Sequence, residues 1–233
     1  MSTFSSSQSI GEIVSIMPKA SEIFREFNID FCCGGHRTLA EVIKNDKVDE
    51  QQLLRKLDTA YEESKNISSQ TNFMEMSSTK LIDYIVNTHH VFLKRTLPEL
   101  SELITKILRV HGSNHASLFK VHKLFHSLKT ELEQHLIKEE EILFPIIKEY
   151  DVNPSGELLN RISATMKETE DEHDTAGGIL KELRKITNDY SVPKDGCSTY
   201  CRAFDKLQEL ESDLFQHIHL ENNILFRRFN SIQ

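Results

Sequence analysis

The 233-residue chain is 38% hydrophobic and 27% charged, with a formal net charge of −8. These proportions are typical of a globular protein with one sizeable domain and a second, small one. The negative charge argues against nucleic-acid binding, which needs a basic face, and no apolar run approaches the roughly 18 residues that span a membrane. The first residues, MSTFSSSQSIGEI, lack a basic start and a long apolar run, so we expect no signal peptide.

Residues 1–63 are predicted to form a small helical domain. Two capping boxes and a proline mark the starts of three helices, and a fourth helix follows them. About 60 residues bury only a modest core, so we expect a dimer partner or the rest of the chain to stabilise this unit. The predicted starts are Ser9 with Glu12, Pro18, Thr38 with Glu41, and Asp49, whose helix is expected to run to about Glu63.

A glycine-rich turn in this small domain, DFCCGGHRTL (residues 30–39), carries two adjacent cysteines, Cys32 and Cys33. Its position near a helix start predicts a lowered thiol pKa, and His36 and Arg37 could add to the effect. The alternative is a pair of buried structural cysteines. Neighbouring cysteines pair with each other poorly, and the chain has only four cysteines in all, too few for a disulfide scaffold. We therefore expect reduced thiols in a cytoplasm.

The rest of the chain is predicted to be a helical bundle behind a linker. Residues 64–78 are polar and serine-rich, as linkers are. Residues 79–233 show apolar residues at helical spacing and short loops, which is typical of an up-down-up-down four-helix bundle. Pro98 is expected to kink the first of these helices or divide it in two. The predicted helices are 79–110, 116–149, 157–188 and 199–229.

One pattern, H-x-x-x-E-x-x-I-L-F, occurs twice in the bundle. The first copy contains His135 and Glu139, and the second contains His217 and Glu221. Residues four apart lie about 40° from each other around a helix, so each pair presents one nitrogen and one oxygen ligand on a single face. A lone copy is more often a surface pair. Because the copies share an apolar tail on helices of matching phase, they predict an inward-facing metal site.

The other two bundle helices each contribute a single candidate histidine near mid-length. His173 is the candidate on the third helix. On the first helix His89 and His90 both share a face with apolar residues, so the pattern alone does not decide between them. In an antiparallel bundle, residues near mid-length meet at one level, and the four histidines and two glutamates are expected to converge there.

The number of ligands indicates the metal. Four imidazoles and two carboxylates are too many for one tetrahedral zinc ion, and mixed nitrogen and oxygen ligation favours iron or manganese over calcium or magnesium. We expect two non-haem iron ions per chain with an oxo or hydroxo bridge and an open position for O₂ or NO. A ferritin-like centre is less favoured, because its Glu-x-x-His motif occurs here only at Glu170 and His173.

The remaining histidines, acids and cysteines of the bundle are predicted to be ordinary. Glu140 and Glu141 lie off the His135 face and are expected to form a solvated charge run. Cys197 and Cys201, one turn apart, are expected to be structural, with a redox role as the alternative. His111 is expected in a loop or, alternatively, at an entrance. The histidines predicted to lie on the surface are His115, His122, His126 and His219.

These motifs together resemble the haemerythrin-like di-iron domains. With the N-terminal CCGG turn the chain is similar to the iron–sulfur cluster repair di-iron proteins, also called repair of iron centres. The resemblance rests on DFCCGGHRTL, HHVFLKRTLPEL, HLIKEEEILFP, EHDTAG and HIHLENNILF. The family has a ligand histidine eight residues before the proline of its LPEL-like segment, which implies His90 rather than His89. The other ligands that the resemblance implies are His135, Glu139, His173, His217 and Glu221.

The resemblance implies an iron-supplying protein that repairs iron–sulfur clusters damaged by nitric oxide or peroxide. It also implies a cytoplasmic homodimer in a stress response, with damaged iron–sulfur proteins as partners and NO or O₂ as a small ligand. Cys32 and Cys33 are then candidate thiols that handle iron, nitrosyl groups or a partner. Two alternatives are a reductase of NO or O₂ that takes electrons from an unknown donor, and a sensor or carrier whose N-terminal domain is an output module.

Overall fold

The computed structural model describes residues 3–64 and 72–230, and these ranges are helical, with an isolated bridge between Ser9 and Thr38. The N-terminal helices are α1 Ile10–Ile16, α2 Ala20–Glu26, α3 Leu39–Asn45 and α4 Glu50–Ser64, with a 3₁₀ turn at Cys33–His36. They are followed by α5 Ser78–Ile85, α6 Val91–His111, α7 Ser117–Lys138, α8 Phe144–Val152, α9 Gly156–Ile186, α10 Ser198–His219 and α11 Arg227–Asn230.

The chain divides into two compact units. The first comprises Met1–Leu81 and Phe215–Gln233, and the second comprises Ile82–Leu214. The predicted boundaries, with a linker at 64–78, stay a prediction, and residues 65–71 of that linker lie outside the described residues. No helix in the described ranges has the length and apolarity needed to cross a membrane.

Local sequence signals begin the helices of the first unit. The side chain of Ser9 accepts a hydrogen bond from the backbone of Glu12, whose carboxylate accepts one from the backbone of Ser9. Thr38 and Glu41 make the same reciprocal pair at the start of α3. Both predicted capping boxes are therefore confirmed. They satisfy backbone N–H groups that a helix start otherwise leaves without partners.

The second unit consists of long antiparallel helices. Lys120 and Lys138, near the two ends of α7, pair with Glu182 and Glu172 of α9 in the reverse order. The core between the helices is apolar, as the helical spacing predicts. Its fully buried side chains include Leu93, Leu100, Phe125, Leu128, Ile162, Leu180 and Leu207. The all-α fold with a four-helix bundle is thus confirmed.

The first bundle helix is irregular at a different place from the one that we predict. Helix α6 runs from Val91 to His111 and continues through Pro98, so the alternative of a helix divided at this proline is wrong, while a kink there stays a prediction. A proline removes one backbone donor, at a cost of about 3 kcal/mol. Burial of the neighbouring Leu97 and Leu100 offsets that cost in a long helix.

The irregular turns lie beside the candidate ligands instead. A π turn at Val86–His90 precedes α6, a second at Glu139–Leu143 joins α7 to α8, and a third at Leu220–Leu225 follows α10. In a π turn the backbone bonds span five residues, so the side chains after the turn are rotated relative to a regular helix. Three of the candidate ligands, His90, Glu139 and Glu221, lie within these turns.

Candidate metal centre

All six candidate ligands are buried. At most 4% of the surface of any of them is exposed, and four of them have no exposed surface at all. Burial of an ionisable side chain is costly unless it is paired or bound to a metal. The buried residues are His90, His135, Glu139, His173, His217 and Glu221.

In the second unit, the carboxylate of Glu139 lies between two imidazoles. Its Oε2 atom is 3.4 Å from Nε2 of His90 and 3.3 Å from Nε2 of His135. The Nε2 atom of His173 is in turn 3.3 Å from Nε2 of His135. Two ligands of one metal ion, each about 2.1 Å from it, lie roughly 3.0–3.4 Å apart. The separations match those of atoms that share a metal ion.

The buried carboxylate of Glu139 provides a direct test of whether a cation fits. Among the described residues, neither of its oxygens accepts a hydrogen bond, although the side chain is fully buried. Buried polar groups in native proteins nearly always have partners, and a missing partner indicates an ion. A metal cation held by Glu139 and its neighbouring imidazoles would supply the missing interaction. The residues therefore fit a metal ion.

Glu140 fixes the orientation of the His90 ring. The Nδ1 atom of His90 lies 2.7 Å from a carboxylate oxygen of Glu140, and Lys94 donates to the same carboxylate at 2.8 Å. With Nδ1–H donating to Glu140, the Nε2 lone pair faces Glu139 and is available to a metal. Burial raises the pKa of Glu140, but the hydrogen bonds from Lys94 and His90 outweigh burial and hold the pKa below 4.5. Our prediction of a solvated Glu140 is therefore wrong.

Glu172 fixes the orientation of the His135 ring in the same way. The Nδ1 atom of His135 lies 2.8 Å from Glu172, and Lys138 donates to the other carboxylate oxygen at 2.7 Å. The hydrogen bond from His135 is the largest of the effects that lower the pKa of Glu172 to about 2. A histidine and a lysine that share one glutamate by hydrogen bonds thus occur twice in the second unit. The sequence pattern missed both, because each glutamate reaches its histidine from another helix.

In the first unit, the second copy of the repeated motif forms a close pair. The Nε2 atom of His217 lies 3.0 Å from Oε1 of Glu221, and both side chains are fully buried. His217 belongs to α10 and Glu221 to the π turn that follows it. The pair presents one nitrogen and one oxygen, as predicted from the four-residue spacing.

His89 has a different environment from its neighbour His90. Its ring is buried, and its Nδ1 atom lies 3.0 Å from Asp213 in the second unit. A carboxylate partner accounts for this burial without a metal. The structure thus supports His90 as the ligand of the first bundle helix.

Comparison with known proteins agrees with this geometry. Residues 81–229 match the family described as "Hemerythrin HHE cation binding domain", and residues 6–61 match the domain of unknown function DUF542, or ScdA_N. The chain is 31% identical over 221 residues to the iron–sulfur cluster repair protein ScdA of Staphylococcus haemolyticus, covering 95% of this chain and 97% of that protein. The chain is also 34% identical over 221 residues to the iron–sulfur cluster repair protein YtfE of Shigella boydii. That match covers 95% of this chain and 96% of the relative. This chain belongs to the ScdA/YtfE family of haemerythrin HHE proteins.

In this ScdA/YtfE-family chain the CCGG turn is organised by Asp30. Its Oδ1 atom accepts backbone hydrogen bonds from Cys32, Cys33 and Gly34 at 3.1–3.2 Å. The same oxygen lies 3.3 Å from Sγ of Cys32, and the two sulfurs are 3.9 Å apart. One ligand atom from each of Asp30, Cys32 and Cys33 lies within 4.8 Å of the others, a spacing that could hold a metal ion.

The predicted lowering of the thiol pKa is wrong for Cys32. Its pKa is raised well above 9.0, mainly by the hydrogen bond with Cys33, then by burial and by the charge of Asp30. The backbone N–H groups that would stabilise a thiolate bind the Asp30 carboxylate instead. Arg37, which we expected to help, pairs with Asp46 at 3.1 Å, and His36 contacts the carbonyl of Cys33 rather than its sulfur.

His219 is buried, so its predicted surface position is wrong. Only 2% of it is exposed, and burial lowers its pKa to about 3. Its ring packs edge-on against Phe31 at 6.1 Å, and Nδ2 of Asn223 lies 3.3 Å from its Nδ1 atom. The helical spacing correctly separated His219 from the His217 face. It could not show that residues around Phe31 cover the opposite face.

The other predicted surface histidines are partly exposed, and the bundle cysteines are exposed. The rings of His122 and His126 meet edge to face, with centroids 4.1 Å apart. Cys197 and Cys201 both lie exposed, which contradicts the prediction that they are structural. Their sequence spacing gave no signal of exposure, because both stand near a helix start, where the helical pattern is weakest.

Proposed function

We propose that this chain is a di-iron protein that repairs iron–sulfur clusters damaged by nitrosative or oxidative stress by supplying iron. The observation that carries the proposal is the buried Glu139 carboxylate, faced at 3.3–3.4 Å by imidazole nitrogens and without a hydrogen bond among the described residues. Relatives that are about one-third identical over nearly the whole chain, ScdA and YtfE, are named iron–sulfur cluster repair proteins.

In this proposal six side chains hold two iron ions per chain. Glu139 and Glu221 would supply the carboxylate ligands, and four histidines would supply the nitrogen ligands. The repeated His–Glu motif supports this arrangement, since it predicts two equivalent half-sites. When bound, iron supplies reversible coordination of NO or O₂ and is itself the cargo of repair. The four histidines are His90, His135, His173 and His217.

The outer carboxylates contribute by holding protons away from the metal-binding atoms. Glu140 and Glu172 accept from the Nδ1 atoms of His90 and His135. Each imidazole therefore stays in the tautomer whose Nε2 atom binds a cation, and the negative charge of its partner makes that nitrogen a better donor. Lys94 pairs with the carboxylate of Glu140, and Lys138 pairs with that of Glu172, so each negative charge has a positive partner.

Further proposals concern the partners. Damaged iron–sulfur proteins are the clients, an unidentified donor supplies electrons, and the protein acts as a cytoplasmic homodimer. Cys32 and Cys33 are the candidate thiols that handle iron or nitrosyl groups. Their 3.9 Å separation and the nearby Asp30 support a role in metal transfer.

Metal analysis with Mössbauer spectroscopy tests the centre. Protein from iron-replete cells should contain two antiferromagnetically coupled irons per chain. Glu139→Leu and Glu221→Leu should each lose most of the iron, because each removes a carboxylate that would hold it, whereas the exposed neighbour Glu141→Gln should keep it. Two irons retained in both leucine variants would refute the ligand assignment.

A repair assay tests the function separately. A purified [4Fe–4S] protein inactivated with NO should regain activity with the iron-loaded chain and not with the metal-free chain. Recovery that is equal with both forms would contradict iron supply, even where the metal analysis succeeds.

A further inference from the structure

A second group of reactive side chains lies in the second unit, at the loop that precedes α10. It consists of two exposed cysteines, Cys197 and Cys201, and a histidine, His111, at the end of α6. None of the three belongs to the proposed metal centre. We refer to them as the Cys197 cluster.

Cys197 is surrounded by groups that stabilise a negative charge on its sulfur. Its Sγ atom lies 3.2 Å from Nε2 of His111. The backbone N–H groups of Tyr200 and Thr199 also lower the pKa of its thiol. These N–H groups open the 22-residue helix α10, whose first turn carries partial positive charge. A thiolate at this position is therefore stabilised by His111 and by the dipole at the start of α10.

The other titratable groups around the cluster are already engaged. The Nε2 atom of His115 lies 3.0 Å from a carboxylate oxygen of Asp195. The ring of Tyr200 packs edge-on against His111 at 5.4 Å. With these neighbours present, the pKa of Cys197 falls to about 7, and the hydrogen bond with His111 is the largest cause.

Cys201 stands one helical turn after Cys197. Its backbone N–H donates to the carbonyl of Cys197 at 3.1 Å, so the two residues belong to the same turn. A four-residue step in a helix separates Cα atoms by roughly 6 Å. Disulfides span Cα separations of about 4.4–6.8 Å. The Cβ atoms of such a pair, however, are about 5–6 Å apart in a regular helix, against about 3.5–4.5 Å in a disulfide. A bond between these two sulfurs therefore needs a small movement of Cys197, which precedes the first residue of α10.

We propose that Cys197 and Cys201 form a dithiol site that small-molecule disulfides oxidise, with Cys197 as the nucleophile and Cys201 as the resolving thiol. In the first step the Cys197 thiolate attacks a disulfide R–S–S–R, one S–S bond forms as another breaks, and R–S⁻ leaves. In the second step deprotonated Cys201 attacks the Cys197 sulfur of the mixed disulfide and releases a second R–S⁻. Both leaving thiolates take protons from His111 or water, so two protein thiols are oxidised and R–S–S–R is reduced to two R–SH.

Alkylation of the full-length, iron-loaded protein tests the nucleophile first. Because Cys201 is exposed on the same helix turn, it is an internal control for accessibility. Iodoacetamide labelling is followed at each cysteine by peptide mass spectrometry from pH 5 to 10. At pH 6 a thiol with pKa 7 holds about thirtyfold more thiolate than one with the ordinary value of about 8.5. Its lower nucleophilicity reduces the advantage to about sixfold.

The variants separate the chemistry from exposure. His111→Gln should move the midpoint of Cys197 labelling upward by about one pH unit or more. His115→Gln, which changes a neighbouring histidine that pairs with Asp195, should leave it nearly in place. Thermal unfolding and iron content, measured in parallel, should be unchanged in both. Equal labelling of Cys197 and Cys201 at pH 6, or equal shifts in the two variants, would overturn the proposal.

Oxidised glutathione then tests the resolving step. The wild-type chain should lose two thiols and gain an internal Cys197–Cys201 disulfide, while Cys201→Ser should stop at glutathione bound to Cys197. A wild-type chain that keeps glutathione on Cys197, or that is modified first at Cys201, would refute the assigned order.

Discussion

Asn223 offers a quantitative test of how the CCGG turn is held in the first unit. Its amide donates to the carbonyl of Cys32 at 2.9 Å, and only 5% of the side chain is exposed. Two glycines allow this close approach. A Cβ atom added at Gly35 would lie 2.7 Å from Nδ2 and 2.8 Å from Cγ of Asn223. One added at Gly11 would lie 2.6 Å from Cγ and 3.0 Å from Cβ of the same residue.

These distances predict the free energies of unfolding of the variants. Gly35→Ala should cost about 1–3 kcal/mol, because the new methyl group overlaps a buried side chain. Asn223→Ala should cost about 1–3 kcal/mol, because the carbonyl of Cys32 loses its donor. In the double variant the alanine at 35 occupies space that the amide vacated. The two costs should therefore not add, and the coupling should be about 1–3 kcal/mol in the stabilising direction.

Gly11→Ala is the matched comparison. It should cost as much as Gly35→Ala alone, but Asn223→Ala should rescue it only in part. The reason is that the Cβ atom of residue 223, 3.0 Å away, is still present in alanine. Urea unfolding of the metal-free chain, followed by circular dichroism, gives all the values. Additive costs for Gly35→Ala and Asn223→Ala, or equal rescue of both glycine variants, would refute the packing argument.

Three further predictions concern the second unit. Glu172→Gln should weaken iron binding about 10–100-fold, because His135 loses its orienting acceptor; competition with a chelator measures this, with Glu141→Gln as the control. The pKa of Glu172 is lowered from 4.5 to about 2, so its stabilising effect is complete above pH 4.5 and lost as the pH falls towards 2. The unfolding midpoints of wild type and Glu172→Gln should therefore converge over that window, and a constant difference would contradict the sign. Glu211→Leu should destabilise by about 3–5 kcal/mol in urea unfolding, because it leaves Arg184 without the fully buried carboxylate that it contacts.

The helices and the burial of the candidate ligands were predictable because their signals are local. A capping box such as Ser9 with Glu12 lies within four residues, and its hydrogen bonds form as the spacing predicts. The His–Glu motif is likewise contained in one helix turn, and its repetition distinguishes it from a surface pair. Signals of this kind need no knowledge of which helices are neighbours.

The residues that the pattern missed act across helices. Glu140 binds a histidine 50 positions earlier, and Glu172 binds one 37 positions earlier. Helical spacing describes only the face of one helix, so it assigned Glu140 to solvent. His219 was misplaced for the same reason, since Phe31 packs on it from 188 positions earlier in the chain (219 − 31).

The π turns connect the local signals with the contacts made across helices. A regular helix turns about 100° per residue, whereas a π turn contains an extra residue and so rotates the side chains beyond it. The turn at Glu139–Leu143 begins at the candidate ligand Glu139, and Glu140 is its second residue. There the carboxylate of Glu139 faces two imidazoles while that of the next residue reaches His90. Two adjacent carboxylates thus face one cluster, the inner one the Nε2 atoms of His90 and His135 and the outer one the Nδ1 atom of His90. A regular helix would place them about 100° apart, which is why spacing alone assigned only the first to the centre.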